Sequence, residues 1–358
     1  MAGTGLITST LSVEPVLEQH AFPVDRLEAY MAEHVEGFKG PVEVGQFLGG
    51  MSNPTFMLED GNGTRYVMRK KPPGVLLPSA HAVDREYKVI TALGQTDVPV
   101  ARTFALCEDE GVIGKMFYIM EHKEGRVIRD FSMPGYSNAD RTAHWNMMVE
   151  VLARLHKVDF AEVGLEGYGR VGGYMARQVK RWSQQYEASK TDEIEEFDKL
   201  IVWLNNNMPD DTVTTIVHGD FRMENLIFDP ERPEVLAVID WELGTLGNPI
   251  SDLAYNSLTY HYGDPARADI TEDDLEALGI PDEQQAVENY CRHTGRAGIP
   301  GWNFYLVLSL FRLGAISQGV YKRGLDGNAS SPEAVERGAA ARRLAEIGWK
   351  LVQERGVG

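Results

Sequence analysis

Val213-Thr-Thr-Ile-Val-His218-Gly219-Asp220-Phe-Arg222-Met-Glu-Asn225-Leu-Ile-Phe228, followed by Val235-Leu-Ala-Val-Ile-Asp240-Trp241, decides how this chain reads. Both stretches are apolar and β-prone, and polar residues with strict spacing are embedded in them. Transfer of a phosphoryl group to a hydroxyl needs a carboxylate that orients the attacking hydroxyl and takes its proton. It also needs oxygen ligands that hold magnesium against the phosphates. Asp220 suits the first role, and Asn225 and Asp240 suit the second. Magnesium keeps most of its shell for water and phosphate oxygens, so a sparse Asp/Asn pair suffices. Asp and Asn also favour ordinary turns, but strand, loop and strand agree with the chemical reading.

Upstream of this block the chain is rich in strands. Val24 to Glu36 reads as a leading helix. Val42 to Leu48, Thr55 to Leu58 and Arg65 to Arg69 read as strands, with Gly49-Gly50-Met51-Ser52-Asn53 between the first two. Asp84 to Leu93 puts Tyr87, Ile90 and Leu93 on one helical face and stops at Gly94. Strands near Thr103 to Leu106 and Met116 to Met120 follow. Beyond Glu121 long helices take over: Asp140 to Lys157, Tyr174 to Glu187, Glu193 to Asn206, Trp302 to Lys322 and Pro332 to Gln353. The expected lobes are 1–121 and 122–358, with the boundary near Glu121 to Gly125. Neither a repeat of solenoid length nor a low-complexity segment is present.

A chain of 358 residues suits one large domain or two packed lobes, and 43% apolar with 25% charged residues is an ordinary globular balance. The net charge of −18 opposes binding to nucleic acid or to an anionic membrane surface. Cys107 and Cys291 are too few for a disulfide framework or a cysteine metal site, read as packing residues, and point to a reducing cytosol. Met1 to Gln19 lacks the basic start and apolar core of a signal peptide. Trp302 to Ile316, interrupted by Asn303 and Arg312, falls short of a membrane span. The expectation is a cytoplasmic protein without nucleic-acid or membrane partners, and nothing here fixes an oligomeric state.

The loop His218-Gly-Asp220-x-x-x-x-Asn225 and the strand ending in Ile239-Asp240 resemble the aminoglycoside phosphotransferase family, over about residues 40 to 323. The resemblance implies an α+β, protein-kinase-like fold of two lobes, a small antiparallel sheet and a larger, mostly helical lobe. ATP and Mg2+ are the implied cofactors, and a hydroxyl on a small molecule is the implied acceptor. Tyr66-Val-Met-Arg-Lys-Lys-Pro-Pro-Gly74, Ser79-Ala-His81, Asp84-Arg-Glu86 and Trp241-Glu-Leu-Gly-Thr-Leu-Gly-Asn-Pro249 resemble a subgroup, the kinase-like domain fused to some acyl-CoA dehydrogenases. That likeness implies hydroxy acids or hydroxyacyl thioesters as acceptors.

Gly49, Gly50, Met51, Ser52 and Asn53 could fold over the ATP phosphates, since glycines let backbone N–H groups approach anions, although the full G-x-G-x-x-G pattern is missing. Aligning Tyr66-Val-Met-Arg69 with the kinase lysine strand puts Arg69 at the phosphates, with Lys70 beside it and Glu86 as its helical partner. Strand register decides between Arg69 and Lys70, and the sequence leaves it open. Glu121 and His122 fall at the implied adenine hinge. Arg222 stands where charge develops in the transition state. His218 reads as a support of the loop, and Asp252 resembles the aspartate that braces it. Gly219 replaces the arginine that grips an activation-loop phosphate in protein kinases. No A-P-E segment follows Asp240, so a peptide acceptor is disfavoured.

Arg177, Lys180 and Arg181 fall at i, i+3 and i+4 of one helix and could receive a carboxylate or coenzyme A phosphates. An aminoglycoside or amino alcohol would instead need clustered carboxylates, such as Glu193, Glu195 and Glu196 or Asp273 and Asp274. Either set can equally be solvated surface. Two functional classes stand: an active phosphotransferase, or a nucleotide-binding module that has lost turnover. The joint presence of Asp220, Asn225 and Asp240 favours the first.

Overall fold

The computed structural model describes residues 12–48, 53–73, 82–262, 272–328 and 334–357. Gly49 to Ser52 and Ser79 to His81 lie outside the described residues. The first elements are β1 (Val13–Glu14), α1 (Val24–His34), β2 (Glu43–Phe47), β3 (Thr55–Glu59), β4 (Arg65–Lys70), α2 (Val83–Leu93), β5 (Thr103–Cys107), α3 (Glu110–Ile113) and β6 (Phe117–Glu121). The six strands form one antiparallel sheet in the order β1-β2-β3-β4-β6-β5. Side chains alternate across a strand, so the sheet buries two different faces. Phe56, Leu58, Met68 and Phe117 pack with Leu27 and Met31 of α1. Across the sheet, Val83, Val89, Ile90 and Leu93 of α2 join Tyr118 in the larger core of the molecule. Glu86 falls on the same buried face of α2 and is 0% exposed, which forces it to find internal partners.

The remaining elements are β7 (Arg126–Val127), α4 (Asn138–Lys157), α5 (Tyr174–Ser189), α6 (Glu195–Asn206), β8 (Thr215–Val217), β9 (Leu226–Phe228), β10 (Val235–Val238), β11 (Thr245–Gly247), α7 (Ile250–Asn256), α8 (Glu272–Leu278), α9 (Glu283–Thr294), α10 (Trp302–Leu325), α11 (Ala334–Gly338) and α12 (Ala340–Arg355). Short ladders β10-β9-β7 and β11-β8 hold the polar loops between them. Helix α4 starts two residues before the expected Asp140 because Ser137 caps it, in a capping box with Asp140. Helix α10 has the length and hydropathy of a membrane span, contrary to the expectation from Asn303 and Arg312. Here 67% of that apolar window is buried, against α5, α6, α7, α11 and α12. The single helix expected over Pro332 to Gln353 is two pieces, α11 and α12, among the described residues. Gly338, the last residue of α11, lies so close to Tyr321 that an added Cβ would fall 2.4 Å from the tyrosine Cβ.

Helix α9 was not expected from its polar sequence, yet Asp282 and Gln285 form a capping box at its start. Its Glu283 ties three elements together, accepting from Trp302 Nε1 at 2.8 Å and Arg355 Nη1 at 2.9 Å while also contacting His261. Burial alone would raise the Glu283 pKa, but the His261 hydrogen bond and charge, Trp302 and Arg355 outweigh it and bring it down to about 2. A depressed carboxyl contributes stability above its unfolded pKa and loses it as pH falls through the folded value. Wild type should therefore lose thermal stability from about pH 4.5 down to about 2, and Glu283→Gln should flatten that slope. An unchanged slope of Tm against pH in the variant would refute the linkage.

Candidate active site

The loop after β8 is held from below by Asp252, in the first turn of α7. Its carboxylate accepts from the His218 N–H at 2.6 Å and the Gly219 N–H at 2.9 Å. His156 of α4 approaches the same carboxylate at 3.4 Å and bonds Tyr290 Oη through its other nitrogen at 2.7 Å. Burial opposes ionisation of Asp252, but His156 and His218 keep its pKa below the usual carboxylate value. His218 Nδ1 accepts from the Asp220 N–H at 3.2 Å and its Nε2–H donates to Ile239 O at 2.9 Å, which fixes the tautomer and joins the loop to the strand carrying Asp240. Gly219 adopts φ +84°, and a Cβ there would sit 2.8 Å from Leu243 O.

Asn225 donates through Nδ2 to Asp220 O at 2.8 Å and Asp220 Oδ2 at 3.0 Å. Its amide oxygen takes no part in either bond. The Ile239 N–H donates to Asn225 O at 2.9 Å, bringing Asp240 alongside. Asp240 has φ +66°, a left-handed conformation that Asp and Asn tolerate better than other side chains, and its carboxylate is 38% exposed.

Strand register settles what the sequence left open. Arg69 pairs across the strands with Thr55 and Tyr118, and its guanidinium faces the loops. Nη1 lies 3.1 Å from Glu86 Oε2 and Nη2 3.4 Å from Asp240 Oδ1. Lys70, one residue on, points through the opposite face, where Nζ donates to His20 O at 3.1 Å and lies 4.8 Å from the Phe22 ring centroid. The expected basic pair is therefore one cleft-facing arginine and one lysine turned away from it. Burial works against the Arg69 charge, but Glu86 above all, then Tyr118 and Asp240, raise its pKa above the ordinary value. Glu86 is also held by Asn53 Nδ2 at 2.7 Å and Tyr118 Oη at 3.0 Å. Of the glycine segment, Asn53 alone is described, and its side chain braces Glu86.

A cavity of about 560 Å³ opens between the sheet and these loops, a size that suits a nucleotide. Val67, Ala101, Met120, Val127, Ile227 and Ile239 line its apolar part, while Arg69, Asn225 and Asp240 line its polar part. Glu121 and His122 border it. The Glu121 side chain pairs with Lys123 at 2.8 Å and accepts from the Arg102 N–H at 3.2 Å, and the His122 ring stacks on Phe47. Arg222 places Nε 3.4 Å from Asp220 Oδ2 and Nη1 3.3 Å from Glu224 Oε2.

The donor set fits magnesium. Two oxygen-bearing side chains, Asn225 and Asp240, face one cleft, and among the described residues no group of three or more His, Cys, Asp and Glu forms a self-contained cage. The stripe on α5 is arranged differently from its helical spacing. Arg177 folds back onto Gly172 O and Arg170 O, Arg181 packs on Trp182, and Lys180 is exposed. None of the three lines the cavity. Two residues not assigned to the site from the sequence also approach the loop: Arg312 Nη2 donates to Gly219 O at 2.6 Å, and Tyr255 lies near enough to Asp220 for that carboxylate to help raise the phenol pKa, after burial.

A family model described as "Phosphotransferase enzyme family" matches residues 43–288. The chain belongs to that family. It is 44% identical over 345 residues to "Acyl-CoA dehydrogenase family member 11" of Rattus norvegicus, covering 94% of this chain and 44% of that protein. It thus spans less than half the length of this curated relative. A crystal structure from Ralstonia eutropha, provisionally described as an aminoglycoside phosphotransferase, shares 48% identity with a TM-score of 0.87, over 93% of this chain and 99% of that one. A thermostable mutant of aminoglycoside phosphotransferase APH(4)-Ia, in ternary complex with AMP-PNP and hygromycin B, shares the fold at 16% identity and a TM-score of 0.60, over 92% and 99% of the two chains. The expected kinase-like architecture is the one observed, and membership of this phosphotransferase family supports small-molecule kinase chemistry.

Proposed function

We propose that the protein transfers the γ-phosphoryl group of ATP to a hydroxyl of a small acyl compound, a hydroxy acid or hydroxyacyl-CoA, in the cytoplasm. The observation that carries this reading is that Arg69, Asn225 and Asp240 line one end of a nucleotide-sized cleft, with the Asp220 carboxylate hydrogen-bonded to Asn225. Asp220 takes the acceptor's hydroxyl proton; the hydroxyl oxygen forms the new bond to phosphorus, the bond to the β-bridging oxygen breaks, and ADP leaves. Asn225 keeps the Asp220 carboxylate oriented through its Nδ2 hydrogen bond. Magnesium, when bound through Asn225 and Asp240, would neutralise phosphate charge. Arg69 and Arg222 supply positive charge on either side of Asp220 and Asp240.

The acyl acceptor is supported by the name of the relative that this chain matches over 44% of its length, acyl-CoA dehydrogenase family member 11. A polycationic acceptor fits less well, because Arg222 already places a guanidinium 3.4 Å from the Asp220 carboxylate. A silent nucleotide-binding module would have no use for an asparagine that orients the general base. The test is to incubate the full chain and MgATP with hydroxy acids, hydroxyacyl-CoA thioesters, aminoglycosides and amino alcohols. ADP release and the gain of one phosphate by mass are then followed. Acceptor-dependent turnover on the acyl compounds is expected, and turnover on none of them would defeat the proposal.

A further inference from the structure

Arg312 interrupts the apolar run of α10 where that helix passes the catalytic loop. Its Nη2 holds Gly219 O at 2.6 Å, and its guanidinium lies 4.6 Å from the Tyr255 ring centroid and 5.5 Å from that of Trp182. Its Nε is buried without a hydrogen-bond partner. Arg69 and Arg222 each pair with two carboxylates, whereas Arg312 has none within ion-pair distance among the described residues. Two aromatic faces offset part of the cost of withdrawing a guanidinium from water, but an unmatched cation and an orphaned N–H remain unfavourable unless something else satisfies them.

A second cavity, about 20 Å³, opens beside this group, with Gln178, Trp182, Ser251, Tyr305 and Arg312 among its walls. That volume admits one small polar group. No carboxylate lines it. The Gln178 amide oxygen is taken by Trp182 Nε1 at 2.9 Å, which leaves its NH2 as donor, and the Tyr305 oxygen faces Asn248 Nδ2 at 3.5 Å, which leaves its hydroxyl proton free to donate. The walls thus present donors to an oxygen. Gly219, whose carbonyl Arg312 holds, immediately precedes Asp220, and the Tyr255 ring centroid lies 4.6 Å from the Arg312 guanidinium.

We infer that Arg312, with Gln178 and Tyr305, binds the acyl oxygen of the phosphoryl acceptor while the acceptor's hydroxyl lies at Asp220. This rests on the phosphotransferase reading above and adds an acceptor-binding set to it. A free carboxylate and a thioester both present such an oxygen, and the unmatched charge of Arg312 favours the carboxylate.

The experiment compares three acceptors with one hydroxyl in common: a hydroxy acid, its CoA thioester, and the alcohol in which the acyl carbon is reduced. In Arg312→Gln, kcat/KM should fall at least tenfold more on the acid or the thioester than on the reduced alcohol, with KM taking most of the change. Tyr305→Phe, which leaves Gly219 untouched, should show the same selectivity at several-fold. A larger loss on the acid than on the thioester identifies a carboxylate site, and the reverse identifies a carbonyl site. Equal loss on all three acceptors would make Arg312 only a brace of the catalytic loop and overturn the inference. Binding without turnover separates this result from failure of the enzyme reading. Butanoate and butanoyl-CoA, which have no hydroxyl, are titrated by calorimetry into wild type and both variants. Affinities that do not differ between wild type and the variants overturn the Arg312 site whether or not any acceptor is phosphorylated.

Discussion

Asp220→Asn should lower acceptor-dependent ADP release by roughly a thousandfold, the range in which general bases act, while MgATP still binds. The loop that carries Asp220 does not rely on its charge to fold. Asp252 fixes the two preceding N–H groups, and His218 fixes the N–H of Asp220 itself. An amide of the same shape keeps an oxygen for Asn225 but cannot take the hydroxyl proton. Arg69, Asn225 and Asp240 are unaltered, so calorimetric MgATP affinity should stay within a few-fold of wild type. Turnover in the variant comparable to wild type would remove Asp220 from the role of base.

Arg69→Met should have the largest effect on stability. Glu86 is fully buried and keeps only Asn53 and Tyr118 as partners once the guanidinium is gone. Removing one member of a buried ion pair costs about 3–5 kcal/mol, a fall in Tm of roughly 5 °C for a chain of this length. Adding Glu86→Leu should restore most of that stability, because the stranded charge goes with it, yet MgATP affinity should remain lost. A single variant that melts within about 1 °C of wild type would show that the pair contributes little. Recovery of nucleotide binding in the double variant would remove Arg69 from the phosphate site.

The order of elements was legible because strand and helix periods are local properties, and the spacing from His218 to Asn225 survives translation into three dimensions without any long-range information. What the sequence could not show depends on facing. Arg69 and Lys70 are neighbours in the chain but lie on opposite faces of β4, and only pairing with β3 and β6 decides which enters the cleft. The α5 stripe was correct as periodicity, yet Arg177 satisfies carbonyls just before its own helix. Arg312 was legible only as a blemish in an apolar helix, since its partner Gly219 is 93 residues away. The capping box at Asp282 and Gln285, by contrast, was a readable signal for α9.

Helix α2 carries one more side chain with consequences. Arg85 donates to Tyr168 O at 2.6 Å and Gly244 O at 3.3 Å, and its guanidinium lies 4.4 Å from the Tyr168 ring centroid. The helix that positions Glu86 is thereby bolted to the segment immediately following Asp240. Kinases that are switched by signalling swing the corresponding helix in and out. On the phosphotransferase reading, this rivet holds Glu86 against Arg69 without a separate switching event.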